Sequence, residues 1–207
     1  IPEPVTVAAK AQKQVALITN RTVSGGLTYG LSNPFDYEVL QDEFDWRPMV
    51  RVVRFRNDAE SGLGLPLPAG ALSIFDSASG EVIPIPDELE ESGERLRLED
   101  TAVGQDNFFI AGESPQVMAK LTLVKEKEYD CSKYDAGRLY VDFGEYRLSI
   151  ANANPFPVEV EIPVLVQRQI KLKRPSEHLI KRKGIKSLML TLPANSSHDF
   201  SYVLKPR

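Results

Sequence analysis

The chain of 207 residues holds one cysteine, Cys131, so no intrachain disulfide can form. With no Cys or His within a few residues, Cys131 reads as a buried or idle thiol rather than a nucleophile. Only two histidines occur, His178 and His198, in separate segments with no His-x-x-x-His spacing and no neighbouring Cys; no metal site is expected from them. No apolar run approaches the ~20 residues that cross a bilayer as a helix. A formal net charge of −4 gives no basis for nucleic-acid binding. Helical periodicity is scarce as well. Asp87 to Glu91, between Pro86 and Gly93, makes at most one acidic turn. The chain opens Ile1-Pro2-Glu3 without Met, which suggests a processed mature chain or a fragment of a longer one.

Period-two alternation is what the sequence has in quantity. Tyr146, Leu148 and Ile150 alternate with Arg147, Ser149 and Ala151. Val158, Val160 and Ile162 alternate with Glu159 and Glu161, so the glutamates are expected to face solvent. In Arg51 to Arg56, Val53 and Phe55 are taken as the inner face. Leu188 to Leu192 and Phe200 to Leu204 are further strands. Turn punctuation is dense at Gly25-Gly26, Asn33-Pro34, Gly62 to Gly70, Ser79-Gly80 and Asn154-Pro155. Short strands at this spacing predict an all-β chain of tandem immunoglobulin-like β-sandwiches.

Two internal echoes suit that reading. Val5 to Leu17 aligns without gaps with Leu190 to Tyr202. Arg51 to Asn57 matches Tyr146 to Asn152; in both an alternating strand ends at Asn, whose side chain caps turns. The polar stretch Lys125 to Glu128 places the expected boundary, with residues 1–125 as a first sandwich and 126–207 as a second.

Between Asn57 and Gly70, Gly62 and Gly64 supply backbone freedom, while Pro66 and Pro68 stiffen the segment. Leu63, Leu65 and Leu67 alternate, as though laid against a core. Without Gly-Lys-Ser/Thr and a following helix, the loop is no phosphate cradle. The run FRNDAESGLGLPLPAGALSIF closely resembles the C-terminal domain of bacterial mucoidy-inhibitor-like envelope proteins, a domain of unknown function. VTVAAKAQKQVALI, GERLRLEDTAVGQD, EYRLSIANANPFPVEVEIPV and SLMLTLPANSSHDFSYVL resemble further segments of that domain in order, so the likeness spans essentially the whole chain. The resemblance implies an all-β module of the periplasm or cell envelope, preceded in full-length relatives by an N-terminal domain. It implies no catalytic residue and no cofactor.

The residues themselves assemble no catalytic set. Ser196-Ser197-His198-Asp199 are adjacent in sequence, whereas triads gather from separate loops, and no Gly-x-Ser-x-Gly elbow occurs. Two stretches are candidate binding surfaces. Phe35, Tyr37, Phe44 and Trp46 interleave with Asp36, Glu38, Asp42, Glu43 and Asp45, a pattern that can stack on and hydrogen-bond to sugar rings. Lys171, Lys173, Arg174, Lys181, Arg182 and Lys183, with Arg168 and Lys186, form a basic stretch suited to an anionic polymer or lipid headgroups. The first is also consistent with an ordinary strand carrying core aromatics, and the second with a solvated strand-and-loop face. The expected function is therefore a non-enzymatic envelope module that contacts an envelope protein or joins a missing N-terminal domain of the same chain. A carbohydrate- or anionic-polymer-binding module is the alternative, and a hydrolase with an unrecognised site stands behind both.

Overall fold

The alternating segments fold as strands, and no helix occurs among the described residues. A computed structural model describes residues 22–31, 40, 42–73, 75–76, 83–84, 97–129, 142–164, 166, 170–182 and 184–207. In chain order the strands are β1 (Gly25–Gly30), β2 (Phe44–Arg56), β3 (Gly70–Ala71), β4 (Phe75–Asp76), β5 (Ile83–Pro84) and β6 (Arg97–Leu98). There follow β7 (Asp106–Glu126), β8 (Gly144–Asn152), β9 (Val158–Pro163), β10 (Ile170–Lys173), β11 (Ile180–Arg182), β12 (Ile185–Leu192) and β13 (Ser196–Pro206). Nine of them form one mixed sheet in the order β10-β13-β8-β7-β2-β1-β9-β12-β11. The remaining four make two short ladders, β3 with β6 and β4 with β5.

β7 organises the large sheet. Its first part, Asp106 to Ser114, pairs with Met49 to Arg56 of β2, and its second part pairs with Phe44 to Pro48. Between the pairs Pro48–Met118 and Met49–Ser114, β7 advances four residues while β2 advances one. Pro115 lies in that gap. A proline gives no N–H to a ladder, and with Pro48 on β2 and Pro115 on β7 the register slips there. From Val117 onward β7 gains β8 as a second partner, down to the pair Glu126–Gly144. The expected division at 125/126 falls inside this ladder, and strands from both sides of it share one sheet and one main core.

That core gathers alternate residues from several strands. Tyr146, Leu148 and Ile150 come from β8, and Phe200, Tyr202 and Leu204 from β13. Val158, Val160 and Ile162 come from β9, and Leu188 and Leu192 from β12. The Tyr146 and Tyr202 rings stack with centroids 5.7 Å apart and planes 8° from parallel. Buried hydroxyls need partners. Tyr146 Oη donates to the carbonyl of Asp142, and Tyr202 Oη donates to the carbonyl of Leu40 at 2.7 Å. Burial pushes both phenols well above the usual tyrosine range; carboxylates near Tyr146, Asp142 first among them, add to its shift.

Two facing expectations are corrected. Glu161 does not point to solvent. It is buried and pairs with Arg54 Nε at 3.3 Å, an arginine of β2, two places away in the sheet order. Val52, on the Arg54 side of β2, is likewise more deeply buried than Val53 or Phe55.

The first part of β7, with β1 and Val50 to Arg56 of β2, carries a smaller second layer made of residues 57–72 and 97–105. Here, among the described residues, Val50 and Ile110 form a small buried apolar cluster, with Leu72 packed on them. Polar closure does the rest. Asn57 is fully buried. Its Nδ2 donates to the carbonyls of Leu65 at 2.8 Å and Thr101 at 3.0 Å, and its Oδ1 accepts from Gly64 N at 3.0 Å. Its main chain is bonded at both ends, to Gln105 O and Gly104 N. Leu67, between the two prolines, bridges to Thr101 through both main-chain groups. Gly62 and Gly64 have φ of +87° and +100°, so the expected backbone freedom is used. A Cβ on Gly62 would also lie 2.4 Å from the Thr22 carbonyl oxygen.

Asn152 repeats the device at the end of β8. Its Nδ2 shares its hydrogens among the carbonyls of Phe156, Leu192 and Pro193, and its Oδ1 accepts from Asn154 N and Nδ2. The echo between Asn57 and Asn152 is thus a shared mechanism: a buried amide clasps the loop that leaves the strand. The other echo involves Val5 to Leu17, outside the described residues, as are Asp87 to Glu91 and Cys131. Removing either amide takes a donor from loop carbonyls, Leu65 O or Phe156 O among them, and the acceptor from Gly64 N or Asn154 N. Asn57→Ala and Asn152→Ala are each expected to lower the unfolding free energy by about 2–4 kcal/mol in urea titrations. Asn57→Asp should cost at least as much, since it sets a carboxylate against two carbonyls. A loss under ~1 kcal/mol would show that the clasp is not a structural determinant.

Candidate functional site

The clasped loop encloses something the sequence did not foretell. Between it and the sheet lies an open cavity of about 470 Å³. Leu27 of β1, Val53 and Phe55 of β2 and Phe109 of β7 line the sheet side. Leu63, Leu67, Leu72 and Leu98 line the loop side, with Val23, Ser24, Gly25 and Gly26 completing the wall. Among the described residues no charged side chain lines it. The pairings Phe55–Gly25 and Val53–Leu27 put these residues on one sheet face. Phe55 and Phe109 are neighbours at 6.3 Å with rings tilted by 52°. Leu65 departs from the expected leucine set. It is 54% exposed, because its carbonyl is turned inward to Asn57 while its side chain faces out.

The aromatic–acidic stretch is only partly brought together. Phe35 and Tyr37 lie outside the described residues. Phe44 packs against the main core, with the Arg47 guanidinium 3.9 Å above its ring centroid. A bulge follows: three residues of β2, from Phe44 to Arg47, span two of β7, from Leu121 to Ala119. The extra residue breaks the alternation and leaves Trp46 46% exposed. The carboxylates are already engaged. Glu43 Oε1 accepts from Leu123 N at 2.6 Å, and Asp45 Oδ1 meets Lys120 Nζ at 2.9 Å.

The basic stretch divides between the two terminal strands of the sheet order. Lys171 and Lys173 project from β10, alternating with Ile170 and Leu172, and Arg174 follows with φ of +51°. Lys181 and Arg182 belong to β11 at the other end, while Lys183 lies outside the described residues. His198 lies in β13, its Nε2 3.4 Å from Glu177 Oε1, and Asp199 accepts instead from Ser149 Oγ at 2.7 Å. The first contact joins β13 to the segment after β10, and the second ties β8 to β13. Among the described residues no three His, Cys, Asp or Glu side chains group closely enough to hold a metal ion.

No family model, curated protein or solved structure matches the chain. The apolar cavity escaped sequence reading for a definite reason. Its walls come from five separated segments, and only the β1–β2–β7 register brings Phe109 and Leu98 to Leu63 and Leu67. The one available signal was the surplus of apolar residues on Val53, Phe55, Leu63 and Leu67 within a segment read as scaffold.

Among the described residues, the carboxyls of Asp45, Asp58 and Glu145 are held below the usual carboxylate range. The Ser61 hydroxyl and N–H hold Asp58 down, with Arg56 adding to the effect. Lys120 and the Trp46 N–H lower Asp45, and Lys127 lowers Glu145. Each therefore stabilises the fold above the unfolded carboxyl pKa, near 4, and loses that contribution as pH falls through the lowered folded value. Comparing wild type with Asp58→Asn by urea unfolding should show a stability difference that is flat above ~pH 5 and shrinks below ~pH 4. A difference independent of pH across that window would show that the Asp58 charge is not coupled to folding.

Proposed function

We propose that the chain is a non-enzymatic β-sandwich module of the bacterial cell envelope that mediates protein contacts or joins domains. The likeness of Val53 to Phe75 to mucoidy-inhibitor-like envelope domains supports the compartment. The observation that carries the contact reading is the edge of β1. β9 meets β1 at Tyr29 alone, so among the described residues Gly25 to Thr28 have β2 on one side and no strand on the other. Unpaired main-chain groups on such an edge suit strand addition by a partner segment. Exposed Val23 and Leu27 flank it, each 44% accessible. The terminal strands β10 and β11 differ, since lysines on an edge oppose strand addition.

The finer fold reading accompanies this proposal in altered form: one immunoglobulin-like sandwich around the main core, with a smaller loop layer over β1, β2 and β7. The Tyr146 hydroxyl bonded to the carbonyl four residues upstream supports it, since immunoglobulin-like domains make this tyrosine-corner contact. The carbohydrate alternative rests on exposed Trp46, and its neighbouring carboxylates are committed to Lys120 and Leu123 N.

Cell fractionation of the source organism is expected to place the native protein in the periplasmic or membrane fraction; cytosolic recovery would overturn the compartment. A photo-crosslinking residue at Leu27 should give a discrete protein adduct in the envelope, and one at Trp46 should give none. The reverse pattern would reject the β1 edge. Loss of glycan binding in Trp46→Ala would favour the carbohydrate reading instead.

A further inference from the structure

The cavity beneath the 57–72 loop shares Gly25, Gly26 and Leu27 with the β1 edge, but strand addition would use main-chain groups of that edge and not the cavity's side chains. Its volume of about 470 Å³ falls among ligand sites, which run from about 300 to 1,000 Å³. Its chemistry is narrower than most. Aliphatic side chains, two phenyl rings and Ser24 make its walls, and among the described residues no charged side chain lines it. The main-chain N–H of Ser24, beside the cavity, is already given to the Ser61 carbonyl at 2.8 Å. A sugar, a nucleotide or a charged metabolite would lose its hydration there without gaining matched hydrogen bonds. A flexible hydrocarbon loses nothing comparable and releases water from apolar surface.

The cavity is also held open. Asn57 fixes the loop at Gly64, Leu65 and Thr101, and the bridge between Leu67 and Thr101 pins its far side. A site formed before the ligand arrives spares the cost of ordering it. Val23 and Leu27, both 44% exposed, leave it accessible from solvent.

We propose that this cavity binds one hydrocarbon acyl chain, with the carboxyl or ester end left in solvent beside Val23 and Leu27. The acyl chain of a free fatty acid and that of a membrane lipid share this chemistry.

Fluorescence of the neutral probe N-phenyl-1-naphthylamine tests the site in the full chain. Saturable binding, displaced by decanoate, is expected. Leu27→Glu and Val23→Glu place a carboxylate at the opening on half-exposed positions and should weaken probe binding at least about tenfold. Leu27→Met should retain it, and thermal melts followed by circular dichroism should show all three variants folded. Pelleting with phosphatidylglycerol–phosphatidylethanolamine vesicles separates the sources. Pelleting lost in Leu27→Glu assigns the site to a membrane lipid; decanoate displacement without pelleting assigns it to a free fatty acid. Absence of saturable probe binding, or binding unchanged in both glutamate variants, would overturn the proposal. The result leaves the β1 strand-addition reading untouched, because crosslinked adducts report that edge separately.

Discussion

Everything in this fold hangs on the broken register of β7. Twenty-one residues of strand would carry a flat sheet past the length that one core can cover. At Pro115 the ladder slips, and the strand takes β8 as a second partner just beyond it. A right-handed twist accumulates along any such strand, and a bulge concentrates it. The consequence is two neighbourhoods on one strand. One is densely packed around Tyr146, Tyr202 and Phe200. The other has a thin apolar layer and is closed by hydrogen bonds.

The two neighbourhoods are stabilised by different physics. The main core is a burial problem, solved by alternate apolar residues from β7, β8, β9, β12 and β13. The smaller layer has far less to hold it that way: among the described residues its buried apolar cluster is Val50 and Ile110. A single asparagine amide, with two donors and an acceptor, satisfies three main-chain groups of a turn that regular structure could not. A layer held by directional bonds rather than by filling can keep its shape over an unfilled space. That is how a rigid loop and an open apolar cavity coexist.

Much of the strand content was legible in the sequence because alternation is local. Tyr146, Leu148 and Ile150 are buried as their spacing requires, and so are Phe200, Tyr202 and Leu204. The role of Asn57 was half legible: its place at a strand end was visible, but its burial and its reach to Thr101, forty-four residues away, were not. Glu161 misled because alternation assigns a face without saying whether that face meets water. Arg54 supplies the answer from another strand. Trp46 and Phe44 look equivalent in sequence, and a one-residue bulge separates them. The binding surfaces inferred from composition divide in space for a similar reason. Neighbours in sequence such as Lys173 and Lys181 lie on strands at opposite ends of the sheet order.

The hydrogen bond from Tyr202 to Leu40 joins residues 162 positions apart. β1 likewise meets β9 across most of the chain. Such contacts return nothing until a long loop has closed, and folds dominated by them assemble slowly. During synthesis the apolar faces of β2 and β7 must wait for β13 before Tyr202 can seal the main core. Strands made early are completed by residues made much later, so their apolar faces stay uncovered while the intervening chain emerges.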